Sequence, residues 1–155
     1  MTLDAVDRRL LEQIQADFPL ESEPFRVLAE RIGTSEQDVL ERVRRLQESG
    51  TIRQIGPVFD LKQLNFTSTL CAARVTPERV EQAVECINSF SEVTHNYLRN
   101  HVFNIWFTVI APTEEHIDAI LNRIRAVDGV EQVESLPAER MFKINVHFAT
   151  AGDAE

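Results

Sequence analysis

The chain has 155 residues, 43% apolar and 26% charged, enough apolar material for a core without covalent staples. Its 16 basic and 25 acidic side chains give a formal charge of −9, the wrong sign for a protein built around nucleic-acid phosphates. No apolar run approaches the roughly 20 residues of a spanning helix. The two cysteines, Cys71 and Cys86, form no C-x-x-C pair, which argues against a disulfide framework and against a structural metal site. The start MTLDAVDRRLL has no basic head followed by an apolar stretch, so a reduced, cytoplasmic protein is expected.

Leu3, Val6, Leu10, Leu11, Ile14 and Phe18 recur at helical spacing. Pro19 and Pro24 mark a loop. Phe25, Leu28, Ala29 and Ile32 form a second face closed by Gly33. Ser35, with Asp38 three residues on, starts a third helix carrying Val39, Leu40, Val43 and Leu46 and ending at Gly50. TIRQIGPVFD then reads as a short strand or wing. Three helices and a wing predict a winged helix-turn-helix over residues 1–62. In such a domain the third helix enters the major groove. Here its first turns carry Glu36, Asp38 and Glu41, and the chain up to Leu64 holds 9 Lys/Arg against 12 Asp/Glu. A retained scaffold that no longer reads DNA fits this charge better than a DNA reader.

From residue 63 to 155 the pattern changes. Thr69–Val75 predicts a strand, and Thr76-Pro77 opens a helix with Val80, Ala83, Val84 and Ile87 inward. Val93–Arg99 and Val102–Ala111 predict a hairpin around Asn100-His101. Thr113 opens a second helix with Ile117, Ile120, Leu121 and Ile124 inward, and Val130–Leu136 is a fourth strand. The two halves repeat at an offset of about 37 residues, pairing Thr76 with Thr113, Val84 with Leu121 and Val93 with Val130. A duplicated βαβ predicts an α+β, ferredoxin-like βαββαβ sandwich, with Met141–Phe148 as an extra strand. Its helices cover one sheet face, so an oligomer should cover the other.

The repeat supplies an internal control. After Val93 the chain reads Thr94-His95-Asn96-Tyr97-Leu98-Arg99; after Val130 it reads Glu131-Gln132-Val133-Glu134-Ser135-Leu136. The fold therefore does not require His, Tyr and Arg. A two-residue turn would pair Arg99 with Val102, Tyr97 with Asn104 and His95 with Trp106. His95, Tyr97, Arg99, Asn104 and Trp106 would then share a surface, with Leu98, Phe103, Ile105 and Phe107 pointing into the helices. Asn96 has no evident role on that apolar side. Met141, Lys143, Asn145 and His147 alternate on one face of the last strand, with Arg140 just before it. Each residue also has a plain structural role open to it: Trp106 in an interface, Tyr97 in cross-strand packing, His95 as a satisfied polar group, Arg99 and Lys143 as solvated charges. Together, an aromatic wall, cations and histidine suit a flat, anionic, aromatic ligand.

The segments LDAVDRRLLEQIQ and LAERIGTSEQDVLERVRRLQESGTI, with the βαββαβ half, resemble the Lrp/AsnC transcription-regulator family. IRQIGPVFD, THNYLRNHVFNIWFTVIAP and RMFKINVHF resemble the siroheme decarboxylases, enzymes of the alternative haem pathway that share that fold. That resemblance implies removal of acetate carboxyls from siroheme to give didecarboxysiroheme. It implies an iron tetrapyrrole as bound ligand with no further cofactor, and a homologous partner chain or a homo-oligomer, without membrane or DNA. A general acid must protonate the carbon left behind; His95 or His101 is the candidate, with Tyr97 orienting or donating. Arg99, Lys143, Arg140 and Arg53 would hold carboxylates, and Trp106 would stack. Asn104 and His147 would line the pocket. A histidine could ligate the iron, and the spacing does not say which. The competing reading is a transcriptional regulator or haem sensor using the same face.

Overall fold

The computed structural model describes residues 2–140, 142–143 and 148–150. The chain divides into two compact units, one of Met1–Pro57 with Lys143–Glu155 and one of Val58–Phe142.

The first unit holds helices α1 (Ala5–Ala16), α2 (Pro24–Ile32) and α3 (Glu36–Glu48). A reciprocal cap starts α1: the Asp7 N–H donates to Asp4 Oδ1 at 2.7 Å and the Asp4 N–H to Asp7 Oδ2 at 3.1 Å. Pro24 opens α2, where a missing N–H costs nothing. Gly33 ends it at φ 74°, a left-handed turn that favours glycine. Ser35 caps α3 by accepting from the Asp38 N–H. Leu10, Leu28, Val39 and Leu46 are fully buried between the three helices. Leu40, expected inward, is 42% exposed on the outer side of α3.

The expected wing is not a strand among the described residues: 53–57 carry no regular structure. An extended segment becomes a strand only when another strand takes its N–H and C=O groups, and Pro57 has no N–H to give. Ile52 instead turns back into the helical core. The extra strand expected over 141–148 falls largely outside the described residues, and its described members Phe142, Lys143 and Phe148 are not in a strand. Nor does this stretch all belong to the second domain. Phe148 exchanges hydrogen bonds with the Gln15 side chain, and Thr150 donates to the Arg8 carbonyl, so both run along α1.

The second unit runs β1 (Thr67–Val75), a 3-10 turn at Pro77–Arg79, α4 (Val80–Asn88), β2 (Val93–Leu98), β3 (Ile105–Ala111), α5 (Glu114–Arg125) and β4 (Val130–Pro137). The sheet is antiparallel in the order β2-β3-β1-β4, as a duplicated βαβ requires. Cys71, Ala73, Ile105, Phe107 and Val109 pack against Ala83, Ile87, Ile117, Leu121 and Ile124 of the helices. Burial pushes the Cys71 thiol up to about 12, so it stays a protonated core side chain. Among the described residues, no helix is long and apolar enough to cross a membrane.

Candidate functional site

The hairpin β2–β3 has a longer loop than expected. β2 ends at Leu98 and β3 begins at Ile105, leaving residues 99–104 as the connection. Tyr97 therefore faces Trp106 and His95 faces Thr108, in place of the expected Asn104 and Trp106. The slip is two positions, an even number, so every side chain keeps its face. His95, Tyr97, Trp106 and Thr108 still share one surface. β1 extends it, because Ala72 pairs with Trp106 and Leu70 with Thr108. β4 continues it with Leu136 opposite Leu70 and Glu134 opposite Ala72. Within this unit the helices pack on the opposite face, and Tyr97 remains 52% and Leu70 43% exposed.

The loop is bonded to itself. The Arg99 N–H donates to the Asn104 carbonyl at 2.7 Å, and the His101 N–H to the Arg99 carbonyl at 3.0 Å. Trp106 Nε1 donates to the Phe103 carbonyl at 2.8 Å. The Arg99 guanidinium stands 5.7 Å from the centre of the Trp106 ring, in cation–π range. Arg99, Asn100, His101 and Trp106 line an open hollow of about 610 Å³. Asn104 takes no part in that lining. Its Oδ1 accepts from the Val75 N–H at 2.9 Å and its Nδ2 donates to the Val75 carbonyl at 2.8 Å.

The two histidines differ in their partners. His101 Nδ1 accepts from the Phe103 N–H at 3.1 Å, which leaves the proton of the neutral ring on Nε2. His95 lies between two hydroxyls, Thr94 Oγ1 at 2.9 Å from Nδ1 and Thr108 Oγ1 at 3.3 Å from Nε2. A hydroxyl donates or accepts as needed, so His95 keeps both partners whether neutral or protonated. The Tyr97 ring meets His95 edge-on with centroids 5.6 Å apart. Asn96, unexplained in the sequence, donates from Nδ2 to Asn88 Oδ1 near the end of α4. Leu98, expected to point inward, is 68% exposed, because it lies at the sheet edge where its face has run out of helix.

The remaining candidates are divided between the two units. Arg140, in the second unit, stacks 4.9 Å over the exposed Phe142 ring. Lys143 and Arg53 belong to the first unit; Arg53 borders a hollow of about 780 Å³ whose lining includes Leu3, Leu11, Ile14, Ile52 and Phe148. His147 lies outside the described residues. His116 is apart from the hairpin surface, on α5, 3.0 Å from Glu92.

The sequence reading missed a charge cluster in the first unit. Asp7 has no solvent exposure, yet it is a carboxylate. Arg42 Nη1 reaches Asp7 and Asp4 at 2.7 Å each, and Arg42 Nε reaches Asp38 at 2.8 Å. Arg45 Nη2 also holds Asp7. Burial alone would raise the Asp7 carboxyl, but Arg42, the Asp4 N–H and Arg45 outweigh it and hold it below the ordinary range. The Asp7 N–H, with Arg42, brings Asp4 down to about 2. The signal was present in the sequence: Leu3, Asp7, Leu10 and Ile14 follow one helical stripe, so an aspartate occupies a core position.

The family described as "AsnC-like ligand binding domain" matches residues 63–143, and the "Siroheme decarboxylase NirDL-like HTH domain" matches residues 7–53. The "Siroheme decarboxylase alpha subunit" of Nitratidesulfovibrio vulgaris is 47% identical over 146 residues, 94% of this chain and 82% of that one. The "Siroheme decarboxylase NirD subunit" of Stutzerimonas stutzeri is 43% identical over 148 residues, 96% of each chain. Among solved structures, the siroheme decarboxylase NirDL in co-complex with an iron-uroporphyrin III analogue is 34% identical. It superposes with a TM-score of 0.63, over 84% of this chain and 43% of that one.

Proposed function

The chain belongs to the siroheme decarboxylase family, and on that premise we propose that it is one subunit of a carboxy-lyase that removes acetate carboxyls from siroheme to give didecarboxysiroheme. The observation that carries this reading is the β2–β3 surface, where Arg99 stacks on Trp106 beside Tyr97 and His95. A flat macrocycle gains stacking area on Trp106 and Tyr97, and Arg99 offers a planar fork to a ring carboxylate. Arg140, Lys143, Arg53 and His147 remain further candidates for the other carboxylates. The open sheet face is where a homologous partner chain would close the site. A solved relative bound to an iron-uroporphyrin analogue supports an iron tetrapyrrole as the ligand.

The chemistry is redox-neutral. The bond between the acetate methylene and its carboxylate breaks, carbon dioxide leaves, and the electron pair stays on the methylene carbon, where the macrocycle shares it. One proton then turns that carbon into a methyl group. His95 delivers its proton in this reading by way of the Thr108 hydroxyl, 3.3 Å from Nε2 on the same surface, because both of its ring nitrogens are already held by hydroxyls. His101, with Nδ1 occupied by a backbone N–H, offers a neutral Nε2–H to a carboxylate oxygen. Tyr97 orients the ring of His95.

Anaerobic incubation of the purified chain with siroheme, with and without a homologous partner chain, tests the reading by product mass. Loss of two carbon dioxide masses is the expected result. Unchanged siroheme under both conditions would remove it.

A further inference from the structure

We propose that Asn104 is a positioning residue of the site, setting the places of Arg99, His101 and Trp106 without touching the ligand; the inference rests on the decarboxylase reading for its activity readout alone.

Asn104 uses its side-chain amide as a peptide group would. Its oxygen accepts from the Val75 N–H and its nitrogen donates to the Val75 carbonyl, at 2.9 and 2.8 Å. β1 ends at Val75 and β3 begins at Ile105, and the last β1–β3 pair is Ala73 with Ile105. The amide thus supplies the next cross-strand link beyond the end of the ladder. Both amide groups are turned to Val75, and Asn104 does not line the hollow formed by Arg99, Asn100, His101 and Trp106.

The same residue's backbone anchors the loop, since its carbonyl accepts from the Arg99 N–H at 2.7 Å. From that anchor the bonds run in series. The Arg99 carbonyl holds the His101 N–H at 3.0 Å, His101 Nδ1 holds the Phe103 N–H at 3.1 Å, and the Phe103 carbonyl holds the Trp106 indole at 2.8 Å. Six residues without regular structure therefore have their two ends and two of their side chains fixed relative to β1. Removal of the Asn104 amide leaves the series joined to β2 and β3 but without its tie to the end of β1.

Trp106 is the only tryptophan, so its fluorescence reports on this loop directly. The test compares Asn104→Asp, Asn104→Ala and a core truncation remote from the site, Ile120→Val, with the parent chain. In Asn104→Asp the carboxylate still accepts from the Val75 N–H but sets an oxygen against the Val75 carbonyl. Expected in both Asn104 variants are a red-shifted Trp106 emission, stronger acrylamide quenching and faster ring depolarisation without ligand. In the assembled enzyme kcat/KM for siroheme should fall on the order of 10²-fold, as for a displacement of about 1 Å. Ile120→Val should change neither readout. Parent-like emission, quenching and turnover in a folded Asn104→Asp would overturn the proposal. Altered emission matched by Ile120→Val would also overturn it, as general loosening. If the parent enzyme leaves siroheme unchanged, the decarboxylase reading fails and the fluorescence comparison still decides the role of Asn104. If Asn104→Ala does not fold, Asn104→Asp carries the test.

Discussion

Arg42 and Asp7 form the central contact of the amino-terminal unit: Nη1 of the arginine stands 2.7 Å from Oδ1 of a carboxylate with no solvent exposure. Arg42 belongs to α3, the helix that enters the major groove in DNA-binding relatives of this architecture. Its guanidinium is shared among Asp4, Asp7 and Asp38, and Arg45 is drawn to Asp7 as well. Two of the three arginines of α3 are therefore held against aspartates, while Glu36 and Glu41 remain exposed.

The first prediction concerns DNA. The chain should bind duplex DNA only weakly at physiological salt, with a shallow dependence on salt concentration, since few cations are free to displace counterions. A gel-shift titration at several salt concentrations measures this. Submicromolar, sequence-specific binding with a steep slope would contradict it.

The second concerns stability. Arg42→Ala leaves a buried carboxylate with Arg45 as its remaining cation and should cost about 3 kcal/mol, the lower end of the range for breaking a buried pair. Urea unfolding of the full chain, followed by helix ellipticity, gives the number. The acid side follows from the same contact. Asp4, Asp7 and Asp38 all titrate below the ordinary carboxylate range when folded, so the folded chain binds protons less readily than the unfolded one. Their contribution is complete above about pH 4 and is lost as pH falls through the folded value, about 2 for Asp4. The parent should lose melting temperature steeply over that interval, and Arg42→Ala less so. Parallel profiles would show that the cluster does not govern acid stability.

The third concerns ligand affinity. Arg99→Ala should weaken iron-tetrapyrrole binding on the order of tenfold or more, as expected for a charge-assisted bond worth roughly 1.5–3 kcal/mol. Arg123→Ala is the charge-matched control, because Arg123 lies on α5 and stacks over Phe90 in the helical layer. Quenching of Trp106 by the bound macrocycle measures both. Equal affinities would take Arg99 out of the site.

The fourth concerns the proton. At matched tetrapyrrole occupancy, His95→Ala should slow turnover within about 10²–10⁴-fold, the usual span of general acid catalysis. His101→Ala should weaken binding more than it slows turnover, and His116→Ala, whose ring faces Glu92, should do neither. Full turnover by His95→Ala would move the donor elsewhere.

Much of this was legible in the residues. Helical periodicity, Gly33, the Ser35 cap and the offset between the βαβ halves specified both folds, because these signals are local and repeat within a few turns. The contrast between THNYLR and EQVESL singled out the candidate hairpin, since a duplicated fold needs neither set more than the other. Strand parity placed His95, Tyr97 and Trp106 on one face despite a loop of the wrong length, for an even slip leaves the faces unchanged.

Tertiary structure decided what depends on partners distant in the chain. The hairpin loop is six residues long where a two-residue turn was expected, and Asn104 in it reaches back 29 residues to Val75, a pairing that no local pattern encodes. Asn96 found its reason only beside Asn88, and Leu98 its exposure only at a sheet edge. Residues 53–57 are in no strand among the described residues, so β-forming side chains alone did not make one. Asp7 entered the sequence only as one of the 12 acidic residues up to Leu64; Arg42 and Arg45, 35 and 38 residues away, hold it in the folded unit. Alternation and helical repeat are properties of the chain taken a few residues at a time; hydrogen-bond satisfaction and charge burial are settled only when separated segments meet.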